Sequence, residues 1–142
     1  MKPHDARCIF CKIASGEIPS ARVIETDESI AFLDINPVIH GHILVVPKAH
    51  YGSLADLPDV LAGAVCTVLP RLARAVIAAT GAQGLNVIVN NGRAAGQTID
   101  HCHWHLIPRF NNDAVSWPWP HSEYVGDELD QMKVRIGREL RE

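Results

Sequence analysis

Apolar and polar positions change rhythm several times along this chain. Val60, Leu61, Ala64, Val65, Val68, Leu69, Leu72, Ala73, Val76 and Ile77 recur as pairs about four residues apart. Positions three and four apart share a helix face, so this spacing predicts a helix over 58–80 with one broad apolar stripe. Pro58 suits its first turn and Gly81 its end. Pro70, inside the run, lacks a backbone donor and predicts a kink. Elsewhere, short apolar runs bounded by turn residues predict strands at 22–25, 29–34, 42–46, 85–90 and 103–109. Thr26-Asp27-Glu28 forms the first turn, and short helices are expected around 11–15 and 127–140. Three strands, a helix, two strands and a helix favour an α+β domain. Its sheet would be five-stranded and mostly antiparallel, with one long and one or two short helices.

Composition narrows this only a little. A chain of 142 residues builds one core, so residues 1–142 are expected to form a single domain, with the core at about 8–110 and an extension at about 111–142. No apolar run approaches the roughly 18 residues of a membrane span. The first residues, MKPHDARCIFCK, lack the apolar stretch of a secretion signal. Cytoplasm, with no membrane partner, is the expectation. A formal net charge of −3 argues against a surface that tracks nucleic-acid phosphates. Of four cysteines, Cys8 and Cys11 form a CxxC pair, which in a cytosolic chain suggests metal or redox chemistry before structural disulfides. Thioredoxin-like pairs sit in a βαβ pattern, which is missing here.

The stretch HCHWHLIPR, residues 101–109, holds three of the eight histidines. On a strand, His101, His103 and His105 would share one face. Three ionisable rings in a row are a poor core filling. They could form a solvated face, a metal site, or a catalytic histidine flanked by helpers for phosphoryl chemistry. Gln97 and Thr98 lie just upstream on a loop flanked by glycines, where backbone N–H groups can approach an anion. Asn90 enters that loop, and His42 follows Gly41 at the start of another strand. Imidazole, amide, hydroxyl and backbone donors together suit a phosphate that develops charge. Neither GxxxxGK[ST] nor GxGxxG occurs, so a nucleotide must be held in another way.

HCHWHLI, residues 101–107, resembles the HxHxHxx signature of the histidine triad (HIT) superfamily. CIFCKIASGEIPS, AFLDINP, GHILVVPKAH and GLNVIVNNGRAAGQT look like further segments of its Hint-like branch, in the family's order. The resemblance implies a homodimer whose two sheets join into one of ten strands. It implies a hydrolase that binds purine nucleoside monophosphates and cleaves the α-phosphate link to a leaving group, often an amine. By the same resemblance, His103 would be the nucleophile, forming a transient nucleotidyl-histidine that water cleaves. His105 would contact the phosphate oxygens, and His42 would support it. Thr98 and Gln97 would face phosphate or leaving group, beside Gly96 of the same loop. Asn90 would meet the phosphate side, Asp34 the ribose hydroxyls and Ile35 the base.

In zinc-bearing relatives of this branch, counterparts of Cys8, Cys11, His50 and His101 hold the metal, which implies a structural zinc here. Asp100, a charge next to His101, opposes that metal unless it acts as a hydrogen-bond partner to a ligand. Cys66 and Cys102 are expected to pack in the core, with Cys102 and Trp104 facing away from the triad. Two other functions would use the same pocket: a dinucleoside polyphosphate hydrolase, and a nucleotide-binding regulatory protein without turnover. An intact His103 favours an enzyme. His4, His40 and His121 carry no assigned role, and Arg109 stands outside the site.

Overall fold

The computed structural model describes residues 3–141. Five strands form one sheet: β1 (Arg22–Glu25), β2 (Ser29–Leu33), β3 (Ile43–Pro47), β4 (Gly84–Ile88) and β5 (Trp104–Arg109). Their order is β1-β2-β3-β5-β4, and every neighbouring pair is antiparallel. Four α-helices accompany it: α1 (Ile9–Ser15), α2 (Asp59–Cys66), α3 (Leu69–Thr80) and α4 (Glu128–Leu140). The expected α+β architecture is the observed one.

β2 and β3 are buried along their whole length, because the sheet is covered on both faces. Successive side chains alternate between those faces. Ala31, Leu33, Ile43, Val45, Trp104 and Leu106 join Leu72 and Val76 of α3 and Ile136 of α4 in the larger core. Ile30, Phe32, Leu44 and Val46 meet Phe10 and Ile13 of α1 on the other side. Register pairs Leu44 with His105 across β3 and β5, so His105 belongs to the thinner, α1 side. There one short helix covers only part of the sheet, and the remaining surface is open for a ligand.

The helix expected over 58–80 is two helices. α2 ends at Cys66, and Pro70 stands in the first turn of α3. A missing N–H costs nothing there, since first-turn donors have no partner within the helix. Pro70 therefore starts a helix where a kink was expected. Asp59–Thr80 spans 22 residues and contains an 18-residue window at mean hydropathy 1.7, long and apolar enough by those measures to cross a membrane. Arg71 and Arg74 lie within it, so no unbroken apolar run reaches this size, as expected. In this fold the stretch is interrupted, and α3 buries Leu72, Ala75, Val76 and Ala79 beneath the sheet.

The chain after β5 doubles back across the molecule. Arg109 clamps Asp113 with two hydrogen bonds of 2.8 Å and donates a third, also 2.8 Å, to Asn86 of β4. Farther on, Ser122 donates from its backbone N–H and its hydroxyl to the Pro37 carbonyl, at 2.7 and 3.1 Å. Gly41 N–H donates to the Tyr124 hydroxyl at 2.9 Å, and the His40 ring stacks on Tyr124 with centroids 4.2 Å apart. Gly41 has φ +99°, and a Cβ there would meet Thr80 Cγ2 at 2.8 Å, so only glycine fits. α4 then buries Met132 and Ile136 in the larger core beside α3 and β1, and Arg135 hydrogen-bonds the Ala79 carbonyl.

Candidate functional site

A cavity of about 480 Å³ opens on the α1 side of the sheet. One end is apolar, walled by Phe10, Ile13, Ile18 and Phe32 and edged by Ile35, which is 65% exposed. The other end holds His42, His103 and His105, with Asn90, Gly96 and Thr98 of the adjoining loop. Asp34 borders the cavity as well.

Hydrogen bonds settle which nitrogen of each ring carries its proton. His103 Nδ1 lies 2.7 Å from the His101 carbonyl, which can only accept, so Nδ1–H donates. In the neutral ring this leaves Nε2 with a free lone pair. For His42, Val38 N–H donates to Nδ1 at 3.1 Å, so the hydrogen of neutral His42 sits on Nε2. That Nε2 is 2.9 Å from His105 Nδ1 and donates to it. The hydrogen of neutral His105 therefore rides on its Nε2. Two rings whose centroids are 4.8 Å apart thus hold opposite tautomers, one an acceptor and one a donor at Nε2. Asp34 approaches His42 Nδ1 to 3.8 Å, but that nitrogen already accepts a hydrogen bond, so the contact is no ion pair.

Burial keeps all three rings neutral. Removal from water drives His42 and His105 down to about 3, and the neighbouring histidines push the same way. Burial also lowers His103, against the raising effect of its bond to the His101 carbonyl. Asp34 is raised by burial, with the Asn36 N–H and His121 working against that.

His101 parts company with the other two histidines. It precedes β5, and its ring turns to the N-terminal segment. Its Nε2–H donates to the Pro47 carbonyl at 2.8 Å, leaving Nδ1 unprotonated. That Nδ1 stands 3.4 Å from Cys8 Sγ, 3.6 Å from Cys11 Sγ and 3.2 Å from His50 Nδ1. Cys11 Sγ is 3.3 Å from His50 Nδ1, and all four ligand atoms lie within 4.8 Å of one another. Ligand atoms of a tetrahedral site with bonds of about 2.0 Å to nitrogen and 2.3 Å to sulfur stand about 3.3–3.8 Å apart. The cluster fits a metal ion, with the Pro47 carbonyl orienting one ligand from behind. Burial pushes the Cys11 thiol up, an opposition that a cation at this point reverses. Asp100 does not touch His101. It is exposed and faces Arg93 at 3.4 Å, and the charges that act on His101 are those of His50 and His103.

Of the other expected residues, Asp34, Ile35, Asn90, Gly96 and Thr98 do border the cavity. Gln97 does not. Its side chain accepts from Gly92 N–H at 2.8 Å and donates to the Gly52 and Ile99 carbonyls at 2.7 and 2.9 Å. With those bonds Gln97 ties down the loop that carries Gly96 and Thr98, and no polar atom is left over for phosphate. Cys102 and Trp104 face the opposite core, as expected, and burial raises the Cys102 thiol to about 12.

The residues that sequence reasoning missed come mostly from the returning tail. Trp117, Trp119 and His121 wall the cavity. The Trp119 ring packs 5.0 Å from His105, and Trp117 lies 5.2 Å from Trp119. Gly96, at φ +92°, admits Trp117, because a Cβ there would meet the indole at 2.8 Å. Phe10 packs edge-on against both His101 and His103, at 5.8 and 5.0 Å. Only the Trp/Pro richness of the tail hinted that it packs on something.

The HIT domain family matches residues 15–112, which include the whole sheet and the three histidines. The chain belongs to the HIT family. An adenylylsulfatase of Arabidopsis thaliana is 44% identical to this HIT protein over 137 residues, covering 94% of this chain and 69% of the relative. An adenosine 5′-monophosphoramidase of Saccharomyces cerevisiae is 44% identical over 133 residues, covering 93% and 82%. A zinc-bound histidine triad family protein from Mycobacterium smegmatis superposes at a TM-score of 0.84 with 34% identity, covering 95% and 94%.

The neutral rings make HIT-domain stability depend on pH. Folded His42 and His105 resist protonation down to about 3. In the unfolded chain the same rings take up protons below about pH 6.5. Above that pH they leave stability unchanged. As pH falls toward 3 they withdraw it, by at most about 1.4 kcal/mol per unit for each ring. Urea midpoints measured near pH 7 and pH 5 should therefore fall further for the wild type than for His42→Gln. Equal falls would show that His42 is not held neutral.

Proposed function

We propose that this HIT-family hydrolase cleaves purine nucleoside 5′-phosphoramidates and related AMP conjugates at the α-phosphate. The paired opposite tautomers of His103 and His105 carry this reading. Nucleophilic attack needs a lone pair, and a phosphate gathering charge needs a donor beside it. The cavity offers one of each at adjacent rings.

In this mechanism His103 Nε2 attacks the α-phosphorus. The phosphorus–histidine bond forms as the bond to the leaving group breaks; an amine departs with a proton taken up from solvent, which the water of the second step returns. His105 Nε2–H donates to a non-bridging oxygen and stabilises the charge that gathers there. Water then attacks the nucleotidyl-histidine, releasing the nucleoside monophosphate and restoring the lone pair. The His101 carbonyl stabilises the His103 ring while it is transiently cationic, because its bond to Nδ1–H strengthens with that charge. Trp119 excludes water from the face of His105. Asn90 and Thr98 face the phosphate end, Asp34 the ribose hydroxyls, and Ile35 with Phe10 and Phe32 the base.

Cys8, Cys11, His50 and His101 hold zinc in this reading, since a mixed thiolate and imidazole set suits that ion and all four positions are protein ligands. The metal supplies bracing, joining the N-terminal segment to the residue whose carbonyl orients His103. Two copies pair through the unpaired edge of β4 to give a sheet of ten strands. Val87 on that edge is 47% exposed, and Ile77 of α3, which packs on β4, is 38% exposed.

Wild type should release the amine from adenosine 5′-phosphoramidate, and His103→Ala should lose at least about a thousandfold in rate, as removal of a nucleophile does. A preference for diadenosine polyphosphates would keep the mechanism and change the leaving group. AMP binding without turnover of either would remove the enzyme. Protein purified without added metal should hold about one zinc per chain. Cys8→Ser/Cys11→Ser should hold none and melt at a lower temperature, and wild type that is metal-free at full stability would exclude the site. Sedimentation should give twice the 15.6 kDa of the chain, and Val87→Lys should shift it to monomer. A wild-type monomer would end the dimer proposal.

A further inference from the structure

The tail brings to the cavity one ionisable side chain that the mechanism above does not use. His121 borders the same cavity as Asp34 and Asn36, although 85 positions separate it from Asn36, the residue it contacts. Its position is built. Ser122, the next residue, is pinned to the Pro37 carbonyl by two hydrogen bonds, and Tyr124 is pinned to Gly41. His121 Nδ1 stands 3.2 Å from the Asn36 carbonyl, which can only accept. Nδ1 therefore carries the hydrogen, and in the neutral ring Nε2 is left as an acceptor. Asn36 also donates its N–H to Asp34 Oδ1, at 2.9 Å. The two backbone groups of one residue thus orient two acceptors that border the cavity, a carboxylate and an imidazole. The rings and the carboxylate are near enough that His121 acts electrostatically on both Asp34 and His42.

A vicinal diol presents two O–H donors side by side. Asp34 already spends part of its accepting capacity on Asn36, and burial disfavours its charge. We propose that His121 is a specificity residue for ribose, its Nε2 accepting a hydrogen bond from one of the two hydroxyls while Asp34 takes the other. This rests on the assignment of Asp34 to the sugar in the reading above. The ligand class is a ribonucleotide rather than a deoxyribonucleotide, and the selecting group comes from the tail.

Titration calorimetry with AMP, 2′-deoxy-AMP and 3′-deoxy-AMP tests this without depending on turnover. Wild type should bind AMP more tightly than both analogues. His121→Phe, which removes both nitrogens, should weaken AMP binding about fivefold, the loss of one net hydrogen bond. It should leave unchanged the affinity for the analogue that already lacks the hydroxyl His121 holds. His121→Gln, which keeps a donor and an acceptor, should recover much of the AMP affinity. Equal weakening for all three ligands, or no change for any, overturns the proposal. The first of those results would mean that the ring only anchors the tail. Turnover of adenosine phosphoramidate by a wild type that shows no ribose preference would sink this inference and leave the proposed reaction standing. Failure of the wild type to bind any of the three would remove both.

Discussion

The hydrogen bond from His103 Nδ1 to the carbonyl of His101 links the two halves of the site. It sets the tautomer of His103, and with it the direction in which a lone pair faces the cavity. That carbonyl belongs to the residue whose ring stands among Cys8, Cys11 and His50. One residue therefore serves the metal cluster with its side chain and the nucleophile with its backbone. The His101 ring is itself fixed by Pro47 of β3, so the arrangement is carried by the sheet and not by a loop alone.

Burial supplies the second constraint. Four histidines lie almost entirely out of water, which would be expensive if they were charged. Each is neutral and each has a partner for at least one ring nitrogen: a carbonyl, a backbone N–H or another imidazole. The same desolvation that burial imposes gives His103 an available lone pair near neutral pH. Stability and chemistry thus draw on one set of hydrogen bonds.

Much of this was legible in the chain. The five strands were visible because the sheet's short apolar runs are punctuated by Gly, Pro and Asp. The histidine row and the CxxC pair were visible in their spacing, and the family resemblance added His50 and His101 to that pair. What failed did so for physical reasons. Alternation along a strand put the three histidines on one face, and Phe10 of α1 does pack on both His101 and His103, but it did not show the His101 ring turned from the cavity to the cysteines. Pro70 was placed inside a helix because periodicity runs on across the break at Thr67 and Val68. Gln97 has the chemistry to meet a phosphate, and only coordinates show its amide committed to Gly92, Gly52 and Ile99. Trp117, Trp119 and His121 were out of reach, since no local pattern records a contact made across most of the chain.

The wall formed by the tail has one more consequence. The family match ends at residue 112, and Trp117, Trp119 and His121 all follow it. The histidines that would do the chemistry and the side chains that shape the opening therefore occupy separate stretches of the gene. Mutation can remodel the opening, or lengthen and shorten it, while the reactive rings stay untouched. A lineage of such proteins is free to diversify in what it accepts without reinventing how it reacts.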